Sequence, residues 1–93
     1  MDIPANYNQL TRKQRRGVRL RYIQLQDGKC WHCKSDLELD PPKEVLEKRI
    51  RLDMFPPGFM NHPVHLHHDH NTEMTIGAVH AYCNAVLWEW YGQ

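Results

Sequence analysis

Long apolar stretches are missing from this sequence of 93 residues. No run approaches the roughly 20 apolar residues that a membrane-spanning helix requires. The first ten residues, MDIPANYNQL, contain an acid and lack the apolar core of a secretory signal. We therefore expect a cytoplasmic protein with no membrane association. The length fits one domain, residues 1–93, and so small a core favours an additional stabilising element such as a metal ion.

Cysteine is also scarce, and its count of three is odd, which argues against a closed disulfide framework. Cys30 and Cys33 form a Cys-x-x-Cys pair, and His80 and Cys83 form a His-x-x-Cys pair of the same spacing. Two such pairs supply the three thiolates and one imidazole of a tetrahedral structural zinc site, and thiolates favour zinc over magnesium or calcium. The sequence predicts this zinc site. The alternative is a redox Cys-x-x-Cys pair with ordinary core residues at positions 80 and 83.

Net charge is only +1, but the charges are unevenly distributed. Residues 1–34 contain eight Lys and Arg against two acids, and residues 35–93 contain four against nine. A predicted helix at residues 10–27 carries most of the basic side chains. We expect it to bind DNA phosphates in a salt-dependent way, because a basic face of this kind neutralises the backbone of a polyanion. The candidate contacts are Arg12, Arg15, Arg16 and Arg19; a merely solvated basic face is the alternative.

The predicted order of elements indicates the α+β class. In the first helix, Thr11 is a candidate N-cap and Asp27-Gly28 a stop signal. Its apolar residues recur at helical spacing: Leu10, Val18, Tyr22 and Leu25. A tight knuckle follows at residues 28–34, then an irregular segment at 35–63 with a short helix-like stretch, KEVLEKRI, between two proline pairs.

The last third is predicted as strand, turn, strand and helix. The strands lie at residues 64–70 and 74–82, and the helix at 83–91 ends before Gly92. We expect the apolar side chains of this helix to lie in the core, with a dimer or partner surface as the alternative: Leu87, Trp88, Trp90 and Tyr91. The loop 55–59, FPPGF, is expected to pack on the surface; a loop that wedges into a substrate is the alternative.

Four of the seven histidines fall within residues 65–70, HLHHDH, and Asn84 directly follows the last cysteine. This combination with the two zinc half-sites resembles the ββα-metal (His-Me finger) core of HNH endonucleases. The most similar pattern is that of the phage recombination endonuclease VII-like branch. The resemblance covers residues 30–33 and 64–91. It implies a small zinc-stapled ββα-metal domain with an N-terminal basic helix, acting as a metal-dependent DNA endonuclease.

The same resemblance implies roles for individual residues. His68 would be the general base, and His67 would be the first metal ligand, where the family often has an aspartate. Asn84 would be the second ligand to the same divalent ion. His65 and His70 would lie at the rim and orient the phosphate or assist the leaving group. Asp69 is an alternative ligand.

These roles agree with the chemistry of a phosphodiester. A divalent ion offsets the charge that develops on the phosphate, and an imidazole with a pKa near 6.5 is a suitable base at neutral pH. The expected ion is Mg²⁺ or Mn²⁺, and His67 in place of an acid shifts the preference toward Mn²⁺, Ni²⁺ or Zn²⁺. His67 and His68 would point to opposite faces of a regular strand. Both can serve one site only if the chain leaves extended geometry between them.

Two departures from the family pattern are present, and the first is His67 in place of an acid. The region two turns after Asn84 has no histidine, although many HNH enzymes have a third ligand-like histidine there. The family implies a phage-encoded enzyme in the host cytoplasm, acting in recombination, mobile-element spread or packaging beside a terminase. A homodimer is a further expectation. The rival interpretations are a non-catalytic zinc-containing DNA-binding module and a terminase-associated accessory protein.

Overall fold

A computed structural model describes residues 2–93, which form an α+β fold with three α-helices and one two-stranded antiparallel sheet. Helices α1 and α3 pack on the sheet, and α2 contacts α3. The elements in chain order are α1 (Arg12–Leu25), α2 (Lys43–Leu46), β1 (Val64–His68), β2 (Thr75–His80) and α3 (Ala81–Tyr91). Single turns of 3-10 helix lie at Tyr7–Gln9, Leu52–Met54 and Phe59–Asn61.

Helix α1 starts at the predicted N-cap. The Thr11 hydroxyl accepts a hydrogen bond from the Gln14 backbone N–H, and the Gln14 side chain accepts one from the Thr11 N–H. Of the apolar residues at helical spacing, Val18 and Tyr22 are buried, whereas Leu25 is 57% exposed. Gln26 follows Val18 and Tyr22 at four-residue spacing and takes the position against the sheet, which turns Leu25 toward solvent.

The hairpin is shorter than predicted at both of its strands. Asp69 ends β1 because its carboxylate accepts hydrogen bonds from the N–H groups of Asn71 and Thr72 at 2.7 and 3.1 Å and so forms the turn. Strand β2 ends at His80 because α3 begins at Ala81, two residues before its predicted start. Asn84 therefore lies inside the helix, and the N-cap position belongs to His80.

One irregularity interrupts the pairing of the two strands. His67 pairs with Gly77, whereas His68 pairs with Thr75, so Ile76 is an extra residue on β2. Such a bulge increases the local twist and changes the direction of neighbouring side chains. The register shift falls opposite the step from His67 to His68, but the extra residue belongs to β2, and both histidines remain within strand β1.

The edge of β2 away from β1 is covered by three segments. The Gln26 side chain accepts from the N–H of Ala78 and donates to its carbonyl, both at 2.9 Å, and so imitates a neighbouring strand. The Trp31 N–H also donates to the Ala78 carbonyl. Near the other end, the Thr75 N–H donates to Ala5 O at 2.8 Å. A Cβ at Gly77 would lie 2.9 Å from Gln26 Oε1, so this approach requires glycine.

The core lies between α1, the sheet and α3, and includes Val18, Leu66, Val79, Val86 and Leu87. Burial of Leu87 agrees with the prediction for the last helix. The prediction is wrong for the three aromatic residues that follow, since all are at least 41% exposed: Trp88, Trp90 and Tyr91. The hairpin and α1 can cover only one side of a helix that is apolar nearly all round, so the rest of its apolar surface faces solvent. Gly92 ends α3 in the left-handed conformation, as expected.

The middle segment contains less helix than its sequence indicates. Helix α2 covers four residues, and the remainder of the helix-like stretch continues as turn and coil. None of the helices formed by residues 2–93 is long and apolar enough to cross a bilayer.

Candidate functional site

Four side chains predicted to bind zinc lie together at one end of the hairpin. The ligand atoms of Cys30, Cys33, His80 and Cys83 are all within 4.8 Å of one another. His80 Nδ1 lies 3.4 Å from Cys33 Sγ and 3.6 Å from Cys83 Sγ. Usual zinc–ligand distances give a tetrahedron whose sulfur–nitrogen edge is about 3.6 Å. The Cys3His cluster could therefore hold a structural zinc ion.

The local backbone explains why the first two cysteines converge. The Cys30 N–H donates to Ser35 O at 2.8 Å, and the Lys34 N–H donates to Cys30 O at 3.0 Å. Lys34 has a φ of 66°, in the left-handed region, which closes the turn. The knuckle is fixed to the sheet by the bond from Trp31 to Ala78, so both half-sites belong to one rigid unit.

Two backbone carbonyl groups fix the orientation of the His80 ring. Its Nε2 lies 3.0 Å from Asp36 O and 2.8 Å from Leu39 O. Carbonyl oxygens only accept, so Nε2 carries the proton and the Nδ1 lone pair faces the thiols. This is the tautomer that a metal ligand needs. Sequence reasoning missed Asp36 and Leu39, because they contribute backbone carbonyls, which every residue has.

Cys30 and Cys83 interact through a hydrogen bond between their side chains, which shifts their pKa values in opposite directions. A hydrogen bond from Cys83 and several backbone N–H groups lower the pKa of Cys30 to about 4, despite burial. The bond to Cys30 and burial raise the pKa of Cys83. A zinc ion bound here would be held by thiolates, so its binding would release the protons of the cysteine side chains.

A cleft of about 1170 Å³ lies beside β1 and brings together most of the predicted functional residues. Four predicted catalytic residues line it: His65, His68, His70 and Asn84. The four predicted DNA-binding arginines line it as well: Arg12, Arg15, Arg16 and Arg19. The predicted basic helix and the predicted catalytic hairpin therefore open onto one space.

His67, the predicted first metal ligand, lies behind the cleft lining. It is 1% exposed, and its Nε2 has no hydrogen-bond partner among residues 2–93. Burial lowers the pKa of His67, and a polar interaction with the Asn84 side chain opposes the shift, although no atom of residues 2–93 lies in hydrogen-bond geometry to His67 Nε2. The ring is therefore neutral at pH 7 and has an uncompensated polar atom beside Asn84.

Asn84 is held by His65. The Asn84 amide nitrogen lies 3.1 Å from His65 Nδ1. Burial lowers the pKa of His65, and the backbone of Phe59 and His62 opposes the shift. The nitrogen of an amide side chain only donates hydrogen bonds. His65 Nδ1 is then an acceptor, and the amide donates to it. The amide oxygen of Asn84 is left for another partner.

His68 has different neighbours. Its ring stacks on Tyr7 with centroids 3.9 Å apart, and its Nε2 lies 3.6 Å from Glu73 Oε2. The His70 ring is 4.8 Å away. Burial, assisted by His70, lowers the pKa of His68, and Glu73 opposes the shift. Neutral imidazole, the form that accepts a proton, thus predominates at pH 7.

Asp69 and Arg15, predicted as an alternative metal ligand and as a DNA contact, each have a partner within the protein. Asp69, the alternative ligand, uses its carboxylate to accept the N–H groups of the turn, and these bonds lower its pKa. Arg15 has an internal contact, with its guanidinium carbon 3.9 Å from the Tyr7 ring centroid. Sequence reasoning missed Tyr7 and Glu73 as neighbours of His68, because neither belongs to a recognisable motif.

Comparison with known proteins adds no family to this geometry. Neither a protein-family model, nor a curated protein, nor a solved structure matches the chain.

Proposed function

We propose that this protein is a metal-dependent DNA endonuclease of the HNH type, with a ββα-metal core formed by β1, β2 and α3. The order of these elements, the bulge beside His68 and the Cys3His cluster at the hairpin end support the proposal. The zinc cluster has a structural role here. It joins the start of α3 to the knuckle and so holds Asn84 at a fixed angle to the hairpin.

The observation that carries the proposal is the bare Nε2 of His67. A buried polar atom without a partner costs about 1–3 kcal/mol, and native proteins contain few of them. A histidine that only filled the core would leave this cost unexplained. A divalent cation bound at Nε2 supplies the missing partner.

The neighbouring amide fits the same ion. Because His65 accepts from the Asn84 nitrogen, the Asn84 oxygen is available as a second ligand beside His67, with which the Asn84 side chain interacts. One nitrogen and one oxygen from the protein leave coordination positions for phosphate oxygens. Imidazole and amide ligands suit Mn²⁺, Ni²⁺ or Zn²⁺ as well as Mg²⁺. When bound, the ion would offset the negative charge of the phosphodiester.

Side chains that line the cleft carry out the remaining steps of the reaction. Neutral His68 accepts the proton of the attacking water, and Glu73 stabilises the imidazolium that results. As the water oxygen bonds to phosphorus, the bond from phosphorus to the 3′-oxygen breaks, and the 3′-oxygen leaves and takes a proton from solvent water. The arginines of α1 bind flanking phosphates and hold the scissile bond near the hairpin. Phosphate contacts carry little sequence information, so the proposed enzyme has weak sequence preference.

The test is a plasmid-nicking assay with zinc-loaded protein, with Mg²⁺, Mn²⁺ or Ni²⁺ and without added metal. We expect nicking that needs the added ion and is lost in His68→Ala. The His68→Ala protein should keep its zinc content and its affinity for plasmid. His32→Ala, outside the cleft, is the matched histidine control and should nick like the wild type.

The other outcomes identify the rival functions. Protein that shifts plasmid mobility and never nicks is a zinc-containing DNA-binding module. Protein that does neither agrees with an accessory protein that docks through the exposed Trp88, Trp90 and Tyr91. Nicking that persists in His68→Ala at the wild-type rate would contradict the assigned base.

A further inference from the structure

The cleft is lined by two chemically different groups of side chains. The first group is basic and comes from one side of α1: Arg12, Lys13, Arg15, Arg16 and Arg19. The second group is apolar and aromatic and comes from the loop before β1 and from α3: Met54, Phe55, Phe59 and Trp88. A surface that only binds duplex phosphates needs the first group and has no use for the second.

The aromatic side chains form a continuous surface. The Phe55 ring centroid lies 4.7 Å from that of Phe59 and 5.5 Å from that of Trp88. Phe59 in turn contacts His65 edge-to-face at 4.6 Å. Trp88 is 41% exposed, and both phenylalanines are only partly buried. The surface thus stays accessible to a ligand and leads to the histidine that holds Asn84.

Aromatic faces and arginines together bind nucleic acid in a specific way. Guanidinium groups bind phosphates, and aromatic rings stack on the faces of bases. In an intact duplex those faces are stacked on one another, and only base edges and backbone are accessible. A strand whose bases are unpaired presents phosphates and base faces at once, and so matches both groups of the lining.

We propose that the cleft binds an unpaired DNA strand, with its phosphates on the arginines of α1 and its bases on Phe55, Phe59 and Trp88. This inference deepens the proposed nuclease function and rests on it for the fate of the bound strand. The preferred substrate is then DNA with single-stranded or locally opened regions. The loop 55–59 is a base-contacting element of the site.

Binding is measured by fluorescence anisotropy on zinc-loaded His68→Ala protein without added divalent metal, so that no probe is cut. Three probes of equal length are compared: a single strand, the same strand in a duplex, and a strand of abasic sugar-phosphates. We expect the single strand to bind at least about tenfold more tightly than either of the others. Equal affinity for the abasic strand, or tighter binding of the duplex, overturns the inference.

Variants separate the two groups of side chains. Phe55→Leu and Trp88→Leu should weaken binding of the base-containing strand about fivefold or more and leave the abasic strand unaffected. Arg16→Gln should weaken both. Tyr91→Leu replaces another exposed aromatic residue of α3 that lies outside the cleft, and should change neither. Circular dichroism confirms that each variant is folded.

The outcomes keep the two proposals apart. A single-strand preference that depends on Phe55 and Trp88, without nicking by wild-type protein, supports the cleft inference and rejects the nuclease. Metal-dependent nicking with equal affinity for all three probes supports the nuclease and rejects the unpaired strand as its ligand. Wild-type affinity for the single strand in both Phe55→Leu and Trp88→Leu rejects the aromatic contact.

Discussion

The ring of Tyr7 lies flat on the ring of His68, with an interplanar angle of 9° and centroids 3.9 Å apart. The Arg15 guanidinium lies 3.9 Å from the same tyrosine ring and so occupies its other face. Tyr7 is held in place by its backbone, because its N–H donates to Glu73 O at 2.8 Å. The proposed base is therefore supported by a residue about sixty positions away in the chain.

Replacing Tyr7 tests this support. Tyr7→Ala removes the ring that covers His68, so water reaches the imidazole and its orientation loosens. Burial lowers the pKa of His68, so exposure raises it toward 6.5 and moves the acid limb of the pH–rate profile upward. We expect kcat to fall about tenfold, since misplaced catalytic groups are costly.

Tyr7→Phe is the control for that experiment. It keeps the stacked ring and should keep both the rate and the pH profile of the wild type. The measurement is plasmid nicking across pH 5 to 8, with thermal unfolding to confirm the fold. An unchanged profile in Tyr7→Ala would show that Tyr7 does not position His68.

His67 allows a test that separates a metal ligand from a core residue. His67→Leu removes the bare buried nitrogen, so stability should stay the same or rise by about 1 kcal/mol. If His67 holds the catalytic ion, nicking is lost in the same variant. His67→Asp supplies a carboxylate, which suits Mg²⁺, and should shift the metal preference from Mn²⁺ or Ni²⁺ toward Mg²⁺. Normal nicking by His67→Leu would assign His67 to the core.

Substitution of two glycines by alanine is expected to change the free energy of unfolding in opposite directions. Gly77→Ala places a Cβ 3.0 Å from Trp31 Cβ and 2.9 Å from Gln26 Oε1, so one neighbour has to move. We expect a loss of about 1–3 kcal/mol. Gly17 in α1 has nothing within 4 Å of its added Cβ, and Gly17→Ala should gain about 1 kcal/mol from helix propensity. Urea unfolding of zinc-loaded protein measures both, and similar effects of the two changes would contradict the close packing at Gly77.

The zinc cluster is tested by its metal content. We expect one zinc ion per chain by elemental analysis and the absorption of tetrahedral cobalt after Co²⁺ replacement. Cys83→Ala or removal of the ion by a chelator should cost several kcal/mol and unfold much of the domain. Ser35→Ala, which removes only a hydroxyl 3.0 Å from Cys33 Sγ, should keep the ion. Wild-type stability after complete removal of zinc would reject the structural role.

Salt dependence tests the basic lining. Arg16→Gln should weaken DNA binding uniformly across sequences and reduce the slope of log affinity against log salt by about one. Arg21 is exposed on the same helix but lies outside the cleft, so Arg21→Gln is the matched control. Equal slopes for the two variants would show that the phosphates lie elsewhere.

Much of the architecture could be predicted because its signals are local. Helix boundaries are marked by the chemistry of single residues. Thr11 precedes the first helix, Asp27-Gly28 follows it, and Gly92 ends the last helix. The spacing of the two zinc half-sites predicts their convergence because four ligands of one ion have to meet. These elements agree with the structure.

The features that the sequence did not predict depend on contacts between segments that are distant in the chain. Gln26 replaces Leu25 at the sheet because a polar side chain can bond Ala78, a choice that hydrophobic spacing does not reveal. Trp88 and Trp90 are exposed because the sheet is too small to cover all sides of α3. The neighbours of His68 come from the N-terminal segment, and the roles of His65, His67, His68 and Asn84 stay predictions.

The covered edge of β2 has a consequence for self-association. Unpaired strand edges can recruit a second chain, which leads to aggregation or to dimers that share a sheet. Here the amide of Gln26 and the backbone of Trp31 bond the backbone of Ala78, and the backbone of Ala5 bonds that of Thr75, on the outward edge of β2. Another copy cannot extend the sheet on that side without first displacing these groups.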